Sequence, residues 1–208
     1  NDILIKLIII CSPNNPTGNS LDRSLIHQML SSFNGIVLLD EAYIDFSEEE
    51  SWIKSLNEYP NLIVCQTLSK AWGLAAVRIG IAYAGEEIIR FFNKVKPPYN
   101  ISDPNQKEAL KALEKILEFK KNKQIILEEK KKLIHTLKKF RIITKIYPSD
   151  ANFLLVEVKD ANRLYNSLVN QNIIVRNRSS VVENCIRITV GSPDENIQLI
   201  NAMRKIEL

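Results

Sequence analysis

The chain has 208 residues, enough for one large domain or two modest ones, each with a real core. Its 45% hydrophobic and 25% charged residues are ordinary for a globular protein and exclude a disordered or fibrous chain. The net charge of +4 has a local source, residues 107–139, where eleven Lys outnumber five Glu and leave −2 elsewhere; a nucleic-acid-binding domain would be basic more evenly, so no nucleic-acid partner is expected.

The first apolar run, 3–11, is interrupted by Lys6 and is too short to span a bilayer. It has neither the charged leader nor the cleavage site of a signal peptide and is not read as one; the expectation of a cytoplasmic protein with no membrane association rests on the odd, scattered cysteine count and the shortness of this run. It reads instead as a buried strand. Because the chain opens on Asn1 rather than Met, it reads as a fragment or a processed chain. Residues 20–33 have helical spacing at Leu21, Leu25, Met29 and Phe33, with Ser20 as the expected N-cap. A strand is expected at 36–39, and a helix at 48–59 whose acidic first turn suits the helix dipole. Strands follow at 62–66 and 79–84. The first three strands show little alternation, as in a sheet covered on both faces, and the strand–helix–strand repetition predicts a mostly parallel α/β sheet.

Three prolines in 96–105 interrupt this pattern, and the domain boundary is placed there. The expected organisation is a partial large domain over 1–100, then a long connecting helix and a small α+β domain over 101–208. The helical region 105–139 is expected to break near 120–123 and to present its lysines as a solvated face. Beyond it the chain reads as strands 142–147 and 152–158, helix 160–171, strands 173–176 and 185–190, and helix 194–206. Cys11, Cys65 and Cys185 are scattered and read as reduced thiols packed beside apolar strands. His27 and His135 have no partner at metal-ligand spacing, so no metal site is expected.

In a parallel sheet, ligands bind at the carboxyl ends of the strands. "CSPNNPTGN" follows the first strand, "DEAYIDF" the second and "TLSK" the third. Each motif alone is commonplace: "NNPTG" is a good turn, and a surface Ser-Lys pair is ordinary. Together, in order at three strand ends, they match the needs of one cofactor, pyridoxal 5′-phosphate. A lysine amine condenses with its aldehyde, an acid pairs with the pyridine nitrogen, a phenol and an amide hold the ring oxygen, and hydroxyls with an arginine hold the phosphate. Lys70, Asp40, Tyr43 with Asn15, and Thr67 with Ser69 and Arg78 supply these groups.

The blocks "CSPNNPTGN", "LLDEAYIDF" and "TLSKAWGLAAVRIG" resemble the signatures of the fold-type I aminotransferases, and most closely the histidinol-phosphate aminotransferase family. "NFLLVEV", "IIVRNRS" and "CIRITVGSPDEN" agree in order and spacing, so the resemblance covers essentially the whole chain. Ala76 stands where the family often has glycine, a difference of one methyl. The resemblance implies amino transfer between L-histidinol phosphate and 2-oxoglutarate, in histidine biosynthesis, by a homodimer. Within it Lys70 would carry the cofactor and move the proton, Asn15, Asp40, Tyr43, Thr67, Ser69 and Arg78 would bind the cofactor, and Arg187 and Arg176 would take the substrate's anionic group. It also implies an upstream half of the large domain, with a phosphate loop, a ring-stacking aromatic and a tyrosine crossing the dimer; this chain alone is then expected to be inactive. A threonine-phosphate decarboxylase, another aminotransferase such as an aromatic one, and a non-catalytic aminotransferase-like module are the alternatives.

Overall fold

The structure, a computed structural model, describes residues 5–207. Positions 3 and 4 of the expected first strand lie outside the described residues. The chain forms two compact units, one of residues 5–14 and 20–120, the other of 15–19 and 121–207.

The first unit is built on a four-stranded sheet in the order β1-β2-β3-β4, comprising β1 Leu7–Cys11, β2 Ile36–Asp40, β3 Leu62–Thr67 and β4 Gly80–Ala84. The first three strands are parallel, with Cys11 opposite Asp40 and Asp40 opposite Cys65. β4 is antiparallel to β3, Thr67 facing Gly80. A parallel return needs a crossover of a dozen or more residues, usually helical. Residues 68–79 instead fold into a compact connection around a single 3₁₀ turn, Ala75–Val77, so the strand comes back beside its predecessor reversed.

Helix α1, Arg23–Ser32, turns Ile26 and Leu30 onto Ile10, Val37, Leu39, Trp52, Leu62 and Val64, which form the unit's main core. Each such aliphatic side chain, fully removed from water, stabilises the fold by about 1.5–3 kcal/mol. The cap of α1 is Asp22 rather than Ser20: Asp22 Oδ1 accepts from the Ser24 N–H and from its hydroxyl, both at 2.7 Å. Those bonds favour the charged carboxylate and lower its pKa.

The expected helix at 48–59 shrinks to one 3₁₀ turn, Trp52–Ser55. Ser51 Oγ and Trp52 N both donate to the Glu41 carboxylate, at 2.6 and 2.7 Å, which pins the segment before a longer helix can propagate. Helix α2, Glu86–Val95, is absent from the sequence reading, although Glu86 and Glu87 in its first turn and Lys94 in its last are orthodox dipole partners. Helix α3, Asp103–Leu113, is capped by Ser102, with Pro104 in its first turn. Helix α4, Ile116–Leu137, follows after a break at 114–115, earlier than the 120–123 expected from the lysines.

The second unit carries an antiparallel sheet in the order β5-β6-β8-β7, comprising β5 Ile143–Ile146, β6 Phe153–Val158, β7 Arg176–Asn177 and β8 Cys185–Thr189. Leu154, Val156, Ile186 and Ile188 alternate onto one face. There they meet Leu133 and Leu137 of α4, Leu164 and Leu168 of α5 (Ala161–Val169), and Leu199 and Met203 of α6 (Pro193–Glu207). The entry to α6 is a capping box: Glu195 N donates to Ser192 Oγ at 3.4 Å while Ser192 N donates to Glu195 Oε2 at 2.7 Å.

Not all lysines of the basic stretch are solvated. Lys130 is buried, and its ammonium donates to the carbonyls of Ser149 at 2.9 Å and Ala151 at 3.0 Å. Beside it Glu129 accepts from Lys132 at 2.8 Å and from the buried Asn196 amide at 3.0 Å. Among the described residues no helix is long and apolar enough to cross a membrane.

Candidate active site

In the first unit the polar strand ends fall side by side because β1, β2 and β3 are neighbours in one register. Asp40 closes β2 with Cys11 on one flank and Cys65 on the other, and residues paired directly across a sheet share a face. Its Oδ1 accepts from Ala42 N at 3.0 Å, and its Oδ2 faces the Cys11 thiol at 3.9 Å. Burial and then the Asp40 charge push the thiols of both Cys11 and Cys65 up. Partial burial beside a carboxylate therefore keeps them protonated and inert.

Tyr43 is buried just past Asp40, and Lys70 Nζ lies 5.4 Å from the centroid of its ring. Lys70 itself is exposed at the start of the β3–β4 connection. That connection is held by a small core of its own, in which Leu68, Val77 and Ile79 pack with Ala109, Trp72, Leu74 and Ile101. Trp72 also stacks on Phe119, centroids 4.0 Å apart and rings 14° from parallel. The backbone closes on itself through Gly73 N to Lys70 O at 3.0 Å and Leu74 N to Leu68 O at 3.0 Å. Gly73 sits at φ +69 with open space around it, so this turn needs glycine for its backbone angle rather than for room.

The hydroxyls of Thr67 and Ser69 are 2.9 Å apart, and Thr67 Oγ1 also accepts from Ser69 N at 3.1 Å. Arg78 follows in the left-handed region, φ 55, and its exposed guanidinium donates to the Ala75 carbonyl at 3.0 Å. A non-glycine residue there carries a cost of roughly 1–2 kcal/mol, of the kind that recurs where function fixes the backbone. Asp40, Tyr43, Thr67, Ser69, Lys70 and Arg78 thus share one end of one sheet.

The remaining three residues belong to the second unit. Asn15, exposed, accepts at Oδ1 a 2.6 Å hydrogen bond from Arg187 Nη1. Arg187 lies on β8 with its guanidinium 5.0 Å from the Phe153 ring centroid, and Arg176 on β7 is its direct cross-strand partner. Two guanidinium groups in register on neighbouring strands, one tied to an amide, form an arrangement able to take an anion with more than one charge. The Ser12–Pro13 and Asn15–Pro16 peptide bonds are both cis.

The donor set fits pyridoxal phosphate. One carboxylate has an oxygen already fixed by a backbone N–H and a second opposed by a weak thiol donor. An accessible amine, a phenol, two hydroxyls and a guanidinium stand on the same sheet end. Among the described residues no cluster of three His, Cys, Asp or Glu is placed to hold a metal. Sequence reasoning missed the thiols beside Asp40, which only the strand register discloses. It also missed Glu41, whose burial nothing in "DEAY" announces.

The family model for class I and II aminotransferases matches residues 1–203. The chain is 50% identical over 204 residues to the histidinol-phosphate aminotransferase of Flavobacterium psychrophilum, covering 97% of this chain and 58% of that protein. It is also 50% identical over 205 residues to the one from Parabacteroides distasonis, covering 98% and 59%. The chain therefore spans a little under three fifths of the length of the curated relatives it matches. The crystal structure of the histidinol-phosphate aminotransferase from Clostridium acetobutylicum superposes with a TM-score of 0.91 at 22% identity, over 98% of this chain and 64% of that one, which shows a shared fold. With lysine, acid and phenol gathered at one sheet end and a family match running along the sequence, the chain belongs to the class I and II aminotransferases.

Proposed function

We propose that the complete protein is a pyridoxal-phosphate-dependent aminotransferase that moves an amino group between L-histidinol phosphate and 2-oxoglutarate. The observation that carries the reading is the placement of Lys70 Nζ over Tyr43, on the sheet end that Asp40 closes. The relatives at 50% identity support the choice of substrate. The cofactor, when bound, supplies an electron sink that stabilises negative charge at the substrate carbon. Lys70 Nζ would hold the cofactor, and its amine would accept and return the proton of the reacting carbon. Asp40 would be the group that keeps a proton on the ring nitrogen, because a carboxylate partner favours the charged form of a nitrogen base. Tyr43 and Asn15 orient the ring oxygen, and Thr67, Ser69 and Arg78 hold the phosphate. Arg187 and Arg176 bind the substrate's anion, and a phosphate suits two guanidinium groups better than one.

The test uses the full-length protein loaded with pyridoxal phosphate and assayed for glutamate formed from 2-oxoglutarate. L-histidinol phosphate is expected to exceed aromatic amino acids as donor by at least an order of magnitude in kcat/KM. A preference for an aromatic amino acid would replace the substrate assignment. Release of carbon dioxide from threonine phosphate, without glutamate, would replace the reaction. We further propose a homodimeric, cytoplasmic enzyme, in keeping with the biosynthetic relatives; sedimentation of the full-length protein at twice the monomer mass is the expected result.

A further inference from the structure

Glu41 is the most buried charged-type side chain of the first unit, 1% exposed, and it follows Asp40 directly. Successive side chains at a strand end point to opposite faces, so Asp40 and Glu41 diverge. The Glu41 carboxylate accepts three hydrogen bonds from three different places: Ser51 Oγ at 2.6 Å, Trp52 N at 2.7 Å and Gln66 Nε2 at 2.9 Å. Gln66 donates also to Ser51 Oγ, at 3.2 Å, closing a ring of polar contacts. The Glu41 backbone joins the same tie, its N–H donating to Cys65 O at 2.8 Å and its carbonyl accepting from Ile44 N at 3.1 Å.

Two ends of this network matter for the site. Glu41 adjoins Asp40 and stands two residues before Tyr43. Gln66 adjoins Thr67 and stands four residues before Lys70. The Glu41–Gln66 bond therefore spans, behind the sheet end, the gap between the acid and phenol on one strand and the hydroxyls and amine on the next. A buried carboxylate is an expensive way to hold a loop if packing alone were required, because removing its donors leaves the group unsatisfied.

We infer that Glu41 is a positioning residue, whose buried carboxylate sets the spacing of Asp40 and Tyr43 against the 67–70 segment. Glu41 does not touch the cofactor; it acts through Asp40 on one side and through Gln66 and Thr67 on the other. The inference rests on the reading of these residues as a pyridoxal-phosphate site. Positioning errors well under an atomic diameter cost large factors in rate and affinity when several groups must converge on one ligand.

The test is made in the full-length protein with Glu41→Ala, Gln66→Leu and the exchanged pair Glu41→Gln/Gln66→Glu. Three quantities are read: the Kd for pyridoxal phosphate by absorption titration, the pH midpoint of the visible band of the cofactor bound at Lys70, and the thermal midpoint of the cofactor-free protein. Glu41→Ala and Gln66→Leu are expected to weaken cofactor binding about tenfold or more and to move the pH midpoint of the band. The exchanged pair, which restores one donor and one acceptor across the same gap, is expected to recover both. If Glu41→Ala does not fold, Gln66→Leu decides the matter, since it leaves Glu41 bonded to Ser51 and Trp52. A lowered thermal midpoint with Kd and band unchanged in the folded variants would show a purely structural role and overturn the inference. Wild-type protein that forms no band, or forms one that survives Lys70→Ala, would overturn the reading of the site itself and the inference with it.

Discussion

Lys70 is the residue on which the proposed chemistry turns, since an amine that is both exposed and set over a buried phenol ring has no packing role to fill. In the full-length protein Lys70→Ala is expected to abolish turnover and the visible cofactor band. Borohydride reduction of the wild type followed by peptide mapping should label this residue, and a label on another lysine would refute the assignment. Asp40→Asn is expected to leave the fold intact, because the Ala42 N–H bond to the side chain survives, yet to lower the rate by several orders of magnitude. A neutral amide does not hold a proton on the ring nitrogen, and the electron sink weakens. A near-normal rate would mean that Asp40 does not face that atom. Gly18 tests the "NNPTG" turn. It has φ +84, and a Cβ there would meet Ser149 Oγ at 2.5 Å. Gly18→Ala is expected to destabilise by about 1–3 kcal/mol, through the disfavoured backbone angle and the displaced serine, measured as a shift in denaturant midpoint.

At the scale of single elements, α6 shows how local chemistry supports the second unit. Its capping box leaves the Glu195 N–H and the Ser192 N–H each paired, and Asn196 N donates to Ser192 O at 3.0 Å. Ser192→Ala is expected to cost the helix about 1 kcal/mol. Hydrogen exchange at the Glu195 and Asn196 amides should then speed up about fivefold, with amides at the far end of α6 unaffected. The same region predicts a pH dependence. Hydrogen bonds from Ser192 hold the Glu195 carboxyl below its ordinary range, and those from Lys132 and Asn196 do the same for Glu129. A carboxyl whose folded value is depressed contributes stability above its unfolded value, about 4.3, and loses it as the pH falls through the folded one. The thermal midpoint should therefore drop below about pH 4.3, and drop less steeply in Glu195→Gln. An unchanged slope in that variant would show that Glu195 is not linked to folding.

For the molecule as a whole, the exposed apolar surface of the first unit is the telling feature. Leu7 and Ile9 are 49% and 62% exposed on β1, an edge strand, and α2 has no buried residue while Phe91 is 56% exposed. Edge strands with exposed apolar side chains pair with other chains, and apolar patches of this kind mark surfaces that are covered in the working protein. The chain also spans only 58% of its Flavobacterium relative. We propose that residues 1–208 expressed alone do not make a competent aminotransferase. Beside the full-length protein, the 208-residue chain is expected to associate or precipitate, to bind pyridoxal phosphate weakly and to show no turnover. Stoichiometric cofactor binding and normal rates from a monodisperse preparation would refute this.

Much of the fold follows from the sequence because short runs rich in Ile, Leu and Val, bounded by polar turn residues, read as strands, although β1 leaves Leu7 and Ile9 exposed where cover on both faces is expected. That reasoning locates β1, β2, β3 and β4 to within a few residues, and the apolar runs in "NFLLVEV" and "CIRITV" locate β6 and β8. The family blocks single out Asp40 and Lys70 as candidates because the order of chemically capable residues at strand ends is carried by the chain itself, and Arg187 as one because the resemblance extends to "CIRITVG". What the sequence does not determine is whatever depends on a partner distant along it. The segment around Trp52 has helical composition, but a bond to Glu41, eleven residues earlier, holds it to one turn. Lys130 sits in a run of solvated lysines, but two carbonyls about twenty residues on draw it inside. β4 reverses because its connection finds a core of its own against Ala109. Cys11 and Cys65 come to flank Asp40 only through strand register. Periodicity and propensity report what a segment prefers by itself; hydrogen bonds and packing between remote segments are settled only when the tertiary structure brings them within reach of one another.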